Sequence, residues 1–148
     1  MSEKKIIAAI GGDRRLVEAA RRFARDNTVL CYGWDNCPDV CDNIKPCGRL
    51  EDAVKNADIV LLGLPCSPDG KVIAAPLCDM AIKISDLMSA TPKDAIICGG
   101  LLPTDITESF CKCIDYYKDE LLQTGNAVPT AEGAIMIAMH IFFYCTTD

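Results

Sequence analysis

The chain has 148 residues, half of them hydrophobic and about a quarter charged, a length and composition for one globular domain with its own core. Its net charge of −6 argues against nucleic acid or an anionic membrane as the main partner, although Arg14, Arg15, Arg21 and Arg22 form a local basic patch. No apolar run is long enough to span a bilayer, and MSEKK followed by a short apolar run does not read as a signal peptide, so a cytoplasmic location is expected.

Residues 6–10 (IIAAI) form an unbroken apolar run, the pattern of a strand buried on both faces. Gly11 and Gly12 then allow a sharp turn, and Asp13 is placed to cap a helix whose apolar positions are Leu16, Val17, Ala20, Phe23 and Ala24. Strand, glycine turn and helix N-terminus make a natural seat for an anion, with Arg14 and Arg15 beside it. The plainer alternative is a tight turn followed by two solvated arginines.

Residues 28–33 (TVLCYG) predict a second strand, and residues 34–48, rich in Asp, Asn, Pro and Cys, a loop. A short helix over 50–57 leads to a third strand over 58–64, ended by Pro65. Residues 66–76 break the rhythm, with turn chemistry at Pro68, Asp69 and Gly70 that suggests a small hairpin at the carboxyl edge of the sheet. A helix over 80–89, a strand over 95–98, the Gly99–Gly100 turn and a helix over 104–117 follow. Residues 120–123 (ELLQ) suit a fifth, short strand or a helix end. The last element starts at Pro129 and Thr130, with Glu132 in its first turn, and is apolar almost all round. Such a helix needs burial on more than one side, which implies a further partner surface. Strands alternating with helices predict an α/β fold, a three-layer α/β/α sandwich around a mostly parallel, Rossmann- or flavodoxin-like sheet of about five strands.

In open parallel sheets ligands bind beyond the carboxyl ends of the strands. That criterion selects Gly11, Gly12 and Asp13, then Gly33 and Trp34, then Pro65, Cys66 and Ser67, then Gly99 and Gly100, joined by the start of the last helix. The same small residues also suit another domain or ordinary short loops. Neither G-x-G-x-x-G nor a G-x-x-x-x-G-K-[ST] phosphate loop occurs. Cys31, Cys37, Cys41 and Cys47 include only one pair at zinc-like spacing, so ten reduced cysteines and no metal are expected. His140, the single histidine, lies in the apolar last helix and reads as a core or end-of-helix residue rather than a catalytic one.

The stretches IIAAIGGDRRLVEAARRF and NAVPTAEGAIMIAMH resemble the N-terminal domain of the family formed by the A subunit of dipicolinate synthase. The middle of the chain, from DIVLLGLPCSPDGKVIAAP to ATPKDAIICGGL, fits the same layout. The resemblance places the motif Gly-Gly-Asp-x-Arg at Gly11, Gly12, Asp13 and Arg15, and Pro-Thr-Ala-Glu-Gly at Pro129, Thr130, Glu132 and Gly133. It implies the two-domain plan of 2-hydroxyacid and alanine dehydrogenases. It also implies NADP-dependent formation of dipicolinate, the pyridine dicarboxylate of bacterial spores, from a dihydro- or hydroxytetrahydrodipicolinate precursor. The B subunit of dipicolinate synthase is an implied partner, and homo-oligomerisation is expected.

No G-x-G-x-x-G segment follows the last helix in these 148 residues. The expectation is therefore a substrate-side domain, residues 1–148, whose NADP is held by a further domain and which is not active alone. A dianionic substrate calls for cations or helix N-termini. Arg15 is the first candidate for a carboxylate clamp and Arg14 the second, with Gly11, Gly12, Ser67 and Thr130 as further substrate-binding candidates. Asp13 and Glu132 are the candidates for orienting an arginine or handling a proton, with plain helix capping as their other reading. The rival hypothesis is a non-catalytic docking module that binds a partner protein through the apolar last helix.

Overall fold

In the computed structural model, residues 3–121 and 123 are described; it divides the chain into two compact units, Met1–Tyr116 and Tyr117–Asp148. The first unit holds a single sheet of six parallel strands: β1 (Ile6–Ile10), β2 (Thr28–Tyr32), β3 (Ile44–Pro46), β4 (Ile59–Leu61), β5 (Ile96–Gly99) and β6 (Cys113–Asp115). Their order is β3-β2-β1-β4-β5-β6, with the chain reversing its lateral course between β1 and β4. This is the doubly wound order, and β1/β4 is its topological switch point.

The sheet is buried on both sides because its strands are apolar at successive positions. Ile7 and Ala9 of β1 face a core with Val29, Cys31, Trp34 and Leu61, covered by Leu16, Val17 and Ala20 of helix α1 (Arg14–Phe23). Ala8 and Ile10 face the other core, with Val60, Leu62 and Ile97, covered by α2 (Leu50–Val54), α3 (Ile84–Ala90) and α4 (Thr104–Ser109). The three layers expected from the sequence are present, and the sheet is wholly parallel with six strands, one more than expected.

Four expectations are corrected. The loop predicted over 34–48 contains β3, which Val29, Leu30 and Cys31 recruit as an edge strand. The helix predicted over 104–117 stops at Ser109. Phe110 there is extended and buried, and residues 113–115 pair with β5 as β6. The helix predicted from 80 starts at Ile84, because Lys83 is held in an antiparallel bridge to Val72. That bridge closes the 66–76 excursion on residues beyond it, so the excursion is not a hairpin within itself. Glu120, Leu121 and Gln123 are helical, the second of the two states left open for ELLQ. The predicted last helix lies outside the described residues.

Between β4 and α3 the chain folds over the carboxyl edge of the sheet. Ser67 Oγ accepts from Gly70 N at 2.9 Å, and Asp69 Oδ1 accepts from Lys71 N and Val72 N at 2.8 and 3.0 Å. These bonds set a turn whose return limb buries Ile73 and Ile82 in the core.

Candidate functional site

The switch point is occupied by the chain itself. Gly12 N donates to the Ala74 carbonyl at 2.7 Å, and Gly11 N to the Tyr32 carbonyl at 2.9 Å. Both glycines are left-handed, at φ 72° and 60°. A Cβ on Gly11 would lie 3.0 Å from Ile73 Cγ2 and 3.1 Å from Ala74 O, and one on Gly63 would lie 3.1 Å from Gly12 Cα. The buried Trp34 indole donates to the Gly11 carbonyl at 2.7 Å. A dinucleotide pyrophosphate needs free amides and open backbone at this turn. Here the amides of Gly11 and Gly12 are bound to the chain's own carbonyls and the space above them is filled by residues 73–75. The β1–α1 turn therefore does not fit NADP, and the two glycines serve close chain crossing.

The charged residues that follow form a distinct arrangement. Asp13 is the N-cap of α1, accepting from Arg15 N at 2.9 Å. Its carboxylate also accepts from Arg15 Nε at 3.1 and 3.0 Å and from Nη2 at 2.8 Å. Arg15 Nη2 donates in addition to the Leu64 carbonyl at 2.7 Å, tying α1 to the end of the β4 segment. A cation in the first turn opposes the helix dipole; here its local cause is the N-cap carboxylate and that carbonyl. The guanidinium holds the Asp13 carboxyl below the usual carboxylate range, and the carboxylate in turn raises Arg15. Both side chains stay open to solvent, 69% exposed for Arg15 and 42% for Asp13. They line a hollow of about 170 Å³ with Gly12, Leu64, Pro65, Ala74 and Pro76.

The other candidates do not converge on this hollow. Arg14 turns toward Asp39, 3.8 Å away. Ser67 is engaged in the excursion turn by Gly70 N, with its hydroxyl 3.4 Å from Asp69. Thr130 and Glu132 lie outside the described residues. Sequence reading missed Tyr116, whose hydroxyl donates to the Leu62 carbonyl at 2.9 Å on the same segment that Arg15 grips. Burial, then the neighbouring Cys98 and Cys66 thiols, push its phenol up to about 12 while Arg15 pulls the other way. Its signal was the strand β6 hidden before it. Among the described residues no group of three or more His, Cys, Asp or Glu is placed to hold a metal, and the nine described cysteines are free thiols. Burial pushes Cys31 and Cys66 up to about 12, so these two behave as small hydrophobes. No helix of the described residues is long and apolar enough to cross a membrane.

A family model described as the N-terminal domain of the A subunit of dipicolinate synthase matches residues 6–117. The chain belongs to that family. The A subunit of dipicolinate synthase from Bacillus subtilis (strain 168) is 22% identical over 139 residues, covering 90% of this chain and 47% of that protein. The crystal structure of the A chain from Bacillus subtilis has a TM-score of 0.78 at 20% identity, covering 95% of this chain and 49% of that one. A D-isomer specific 2-hydroxyacid dehydrogenase from Lactobacillus delbrueckii ssp. bulgaricus, in its NAD complexed form, gives 0.53 at 16% identity over 76% and 35%. At these identities the structural likeness shows the fold. The chain spans about half the length of the dipicolinate synthase A chains it matches.

Proposed function

We propose that this chain is the substrate-side domain of an NADP-dependent oxidoreductase that forms dipicolinate from a dihydro- or hydroxytetrahydrodipicolinate precursor during spore formation. The observation that carries the reading is Arg15: a guanidinium fixed by Asp13 and by the Leu64 carbonyl, yet open to solvent, at the carboxyl edge of β1. Strand edges of this kind are where doubly wound sheets meet their ligands. A cation held rigidly there loses little freedom on gripping a carboxylate, which favours binding over a mobile surface arginine. Family membership supports a heterocyclic dicarboxylate as the substrate class. The NADP belongs to a second domain, since the β1–α1 turn is closed by residues 73–75. The chain's own residues bind and orient the substrate for hydride transfer across the domain cleft, with the B subunit of dipicolinate synthase as the partner of the assembled enzyme in the cytoplasm.

The test is titration of the ¹⁵N-labelled chain with pyridine-2,6-dicarboxylate. Amide shifts should centre on Gly12, Asp13, Arg15 and Leu64. Arg15→Ala should weaken binding by tenfold or more, because losing a charged hydrogen-bonding partner costs about 1.5–3 kcal/mol. The same variant should lose less than about 1 kcal/mol of stability, since the pair is exposed and Asp13 still caps α1. Shifts confined to another face, or undiminished binding by Arg15→Ala, would overturn the proposal.

A further inference from the structure

The hydrogen bonds of Arg15 restrict what it is able to hold. A guanidinium grips a carboxylate with two parallel bonds through adjacent nitrogens, either Nε with Nη2 or Nη1 with Nη2. Both forks require Nη2. In this chain the two N–H groups of Nη2 go to Asp13 Oδ2 and the Leu64 carbonyl, and Nε goes to Asp13 as well. Nη1 is the nitrogen left, and it makes no hydrogen bond to any described residue. An anion arriving in the hollow is therefore met end-on by one nitrogen.

The supply of further positive charge is also fixed. Arg15 is the only cation among the described residues lining the hollow. All fifteen lysines and arginines of the chain lie between Lys4 and Lys118, inside the described residues, and Arg14 is directed to Asp39. Among the described residues of the Met1–Tyr116 unit, no other guanidinium or ammonium side chain borders the hollow to meet a second carboxylate.

We infer that the Arg15 hollow reads a single carboxylate group, through Nη1, and that Asp13 is the positioning residue that aims that nitrogen outward. The inference rests on the substrate reading above and sharpens it: the second carboxylate of a pyridine dicarboxylate is met by no cation among the described residues that line this hollow. Asp13 handles no proton in this scheme. It acts through Arg15, by occupying the fork so that the free nitrogen faces the hollow.

The experiment compares three ligands by calorimetry on the intact chain: pyridine-2,6-dicarboxylate, pyridine-2-carboxylate and pyridine. The two acids are expected to bind within about threefold of one another, and pyridine not to bind. Asp13→Asn keeps a good N-cap while removing the charged fork. It should weaken pyridine-2-carboxylate binding about three- to tenfold, and the double variant Asp13→Asn/Arg15→Ala should bind no worse than Arg15→Ala alone. Arg22→Ala, which removes a cation from the exposed side of α1, is the control for net charge and should bind as the unaltered chain does. A dicarboxylate that binds ten times more tightly than the monocarboxylate would overturn the single-carboxylate inference while leaving the substrate reading intact. Unchanged binding by Asp13→Asn would overturn the positioning role. Binding of neither acid would overturn both this inference and the substrate reading.

Discussion

Two glycine pairs close two strands of one sheet, Gly11–Gly12 after β1 and Gly99–Gly100 at the end of β5, and in the sequence they look alike. In the structure both exist because chain packs tightly against them. Gly11 and Gly12 are left-handed and donate to the Tyr32 and Ala74 carbonyls. A Cβ at Gly99 would strike Leu102 and Leu62, and one at Gly100 would strike Leu64; the left-handed residue of that turn is Leu101, at φ 56°. Each turn is also held by a carboxylate that accepts backbone amides: Asp13, next in the chain, from Arg15 N at 2.9 Å, and Asp115, from β6, from Leu101 N and Leu102 N, each at 3.0 Å. The difference is what Asp13 adds: it fixes a guanidinium that stays exposed to solvent, while each Asp115 oxygen accepts one amide of its turn. A glycine pair at a strand end thus marks close packing; the candidate site is made by the charge left facing outward.

The largest expected effect tests the packing half of this comparison. Gly12→Ala places a methyl at φ 72° and brings it within 2.8 Å of Leu16 Cβ, an atom fixed to the α1 backbone. Strain and overpacking together should cost about 2–4 kcal/mol. Gly100→Ala also meets a backbone-fixed atom, Leu64 Cβ at 2.8 Å, but keeps an ordinary φ, so overpacking without backbone strain should cost about 1–3 kcal/mol. Urea unfolding of both variants would break the comparison if Gly100→Ala proved the more damaging.

The first turn was legible in the sequence because every signal in it is local: an apolar run, two glycines, a capping aspartate and a helical period. The strands β3 and β6 were not. Each is three residues long, too short to show a period of two, and each exists because a longer neighbour offers an unpaired edge. Ile44–Pro46 carries a proline inside a polar stretch, which reads as loop. Residues 104–117 have helical spacing throughout, and what ends the helix is the burial of Phe110 in a core built from distant strands. The same limit applies to the candidate site. Arg15 and Asp13 are two residues apart and were singled out together, but the Leu64 carbonyl is forty-nine positions away, and only the fold brings it to Nη2. Without it the guanidinium reads as a free fork, and the restriction to one nitrogen is invisible.

An intermediate effect separates the two carboxylates. Asp115→Ala leaves the Leu101 and Leu102 amides without their carboxylate and should cost about 1–3 kcal/mol, with pyridine-2-carboxylate binding unchanged. Asp13→Ala removes one cap and should cost about 1 kcal/mol, with binding weakened. Thermal melts and calorimetry on the same pair of variants measure both quantities. Loss of binding in Asp115→Ala at retained stability would mean that the second turn also serves the ligand.

The smallest effect is the acid dependence of the Asp13–Arg15 pair. The folded-state value of Asp13 lies below the usual 3.8, with the Arg15 hydrogen bond as the largest cause. A depressed carboxylate adds stability that is fully present above its unfolded value and is lost as pH falls through the folded value. From pH 7 down to about 4 the pair should therefore contribute a constant amount, and below 3.8 that amount should fade. Asp13 raises the already high guanidinium value of Arg15 further, so its own titration lies outside any ordinary experiment. Because Asp13 is 42% exposed, solvent screening keeps the contribution between a few tenths and about 1 kcal/mol. Asp69, also depressed by its hydrogen bonds to Lys71 N and Val72 N, titrates in the same window, so the wild-type curve alone does not isolate the pair. The readout is the difference between the unaltered chain and Asp13→Asn, taken from urea midpoints at about pH 7 and about pH 3. Binding is unsuited to this comparison, since the ligand carboxylates protonate in the same range. The stability difference should narrow toward acid; a difference that is equal at both pH values, or wider at the lower one, would show that the guanidinium fork adds nothing to the fold and that Asp13 works there as a cap alone.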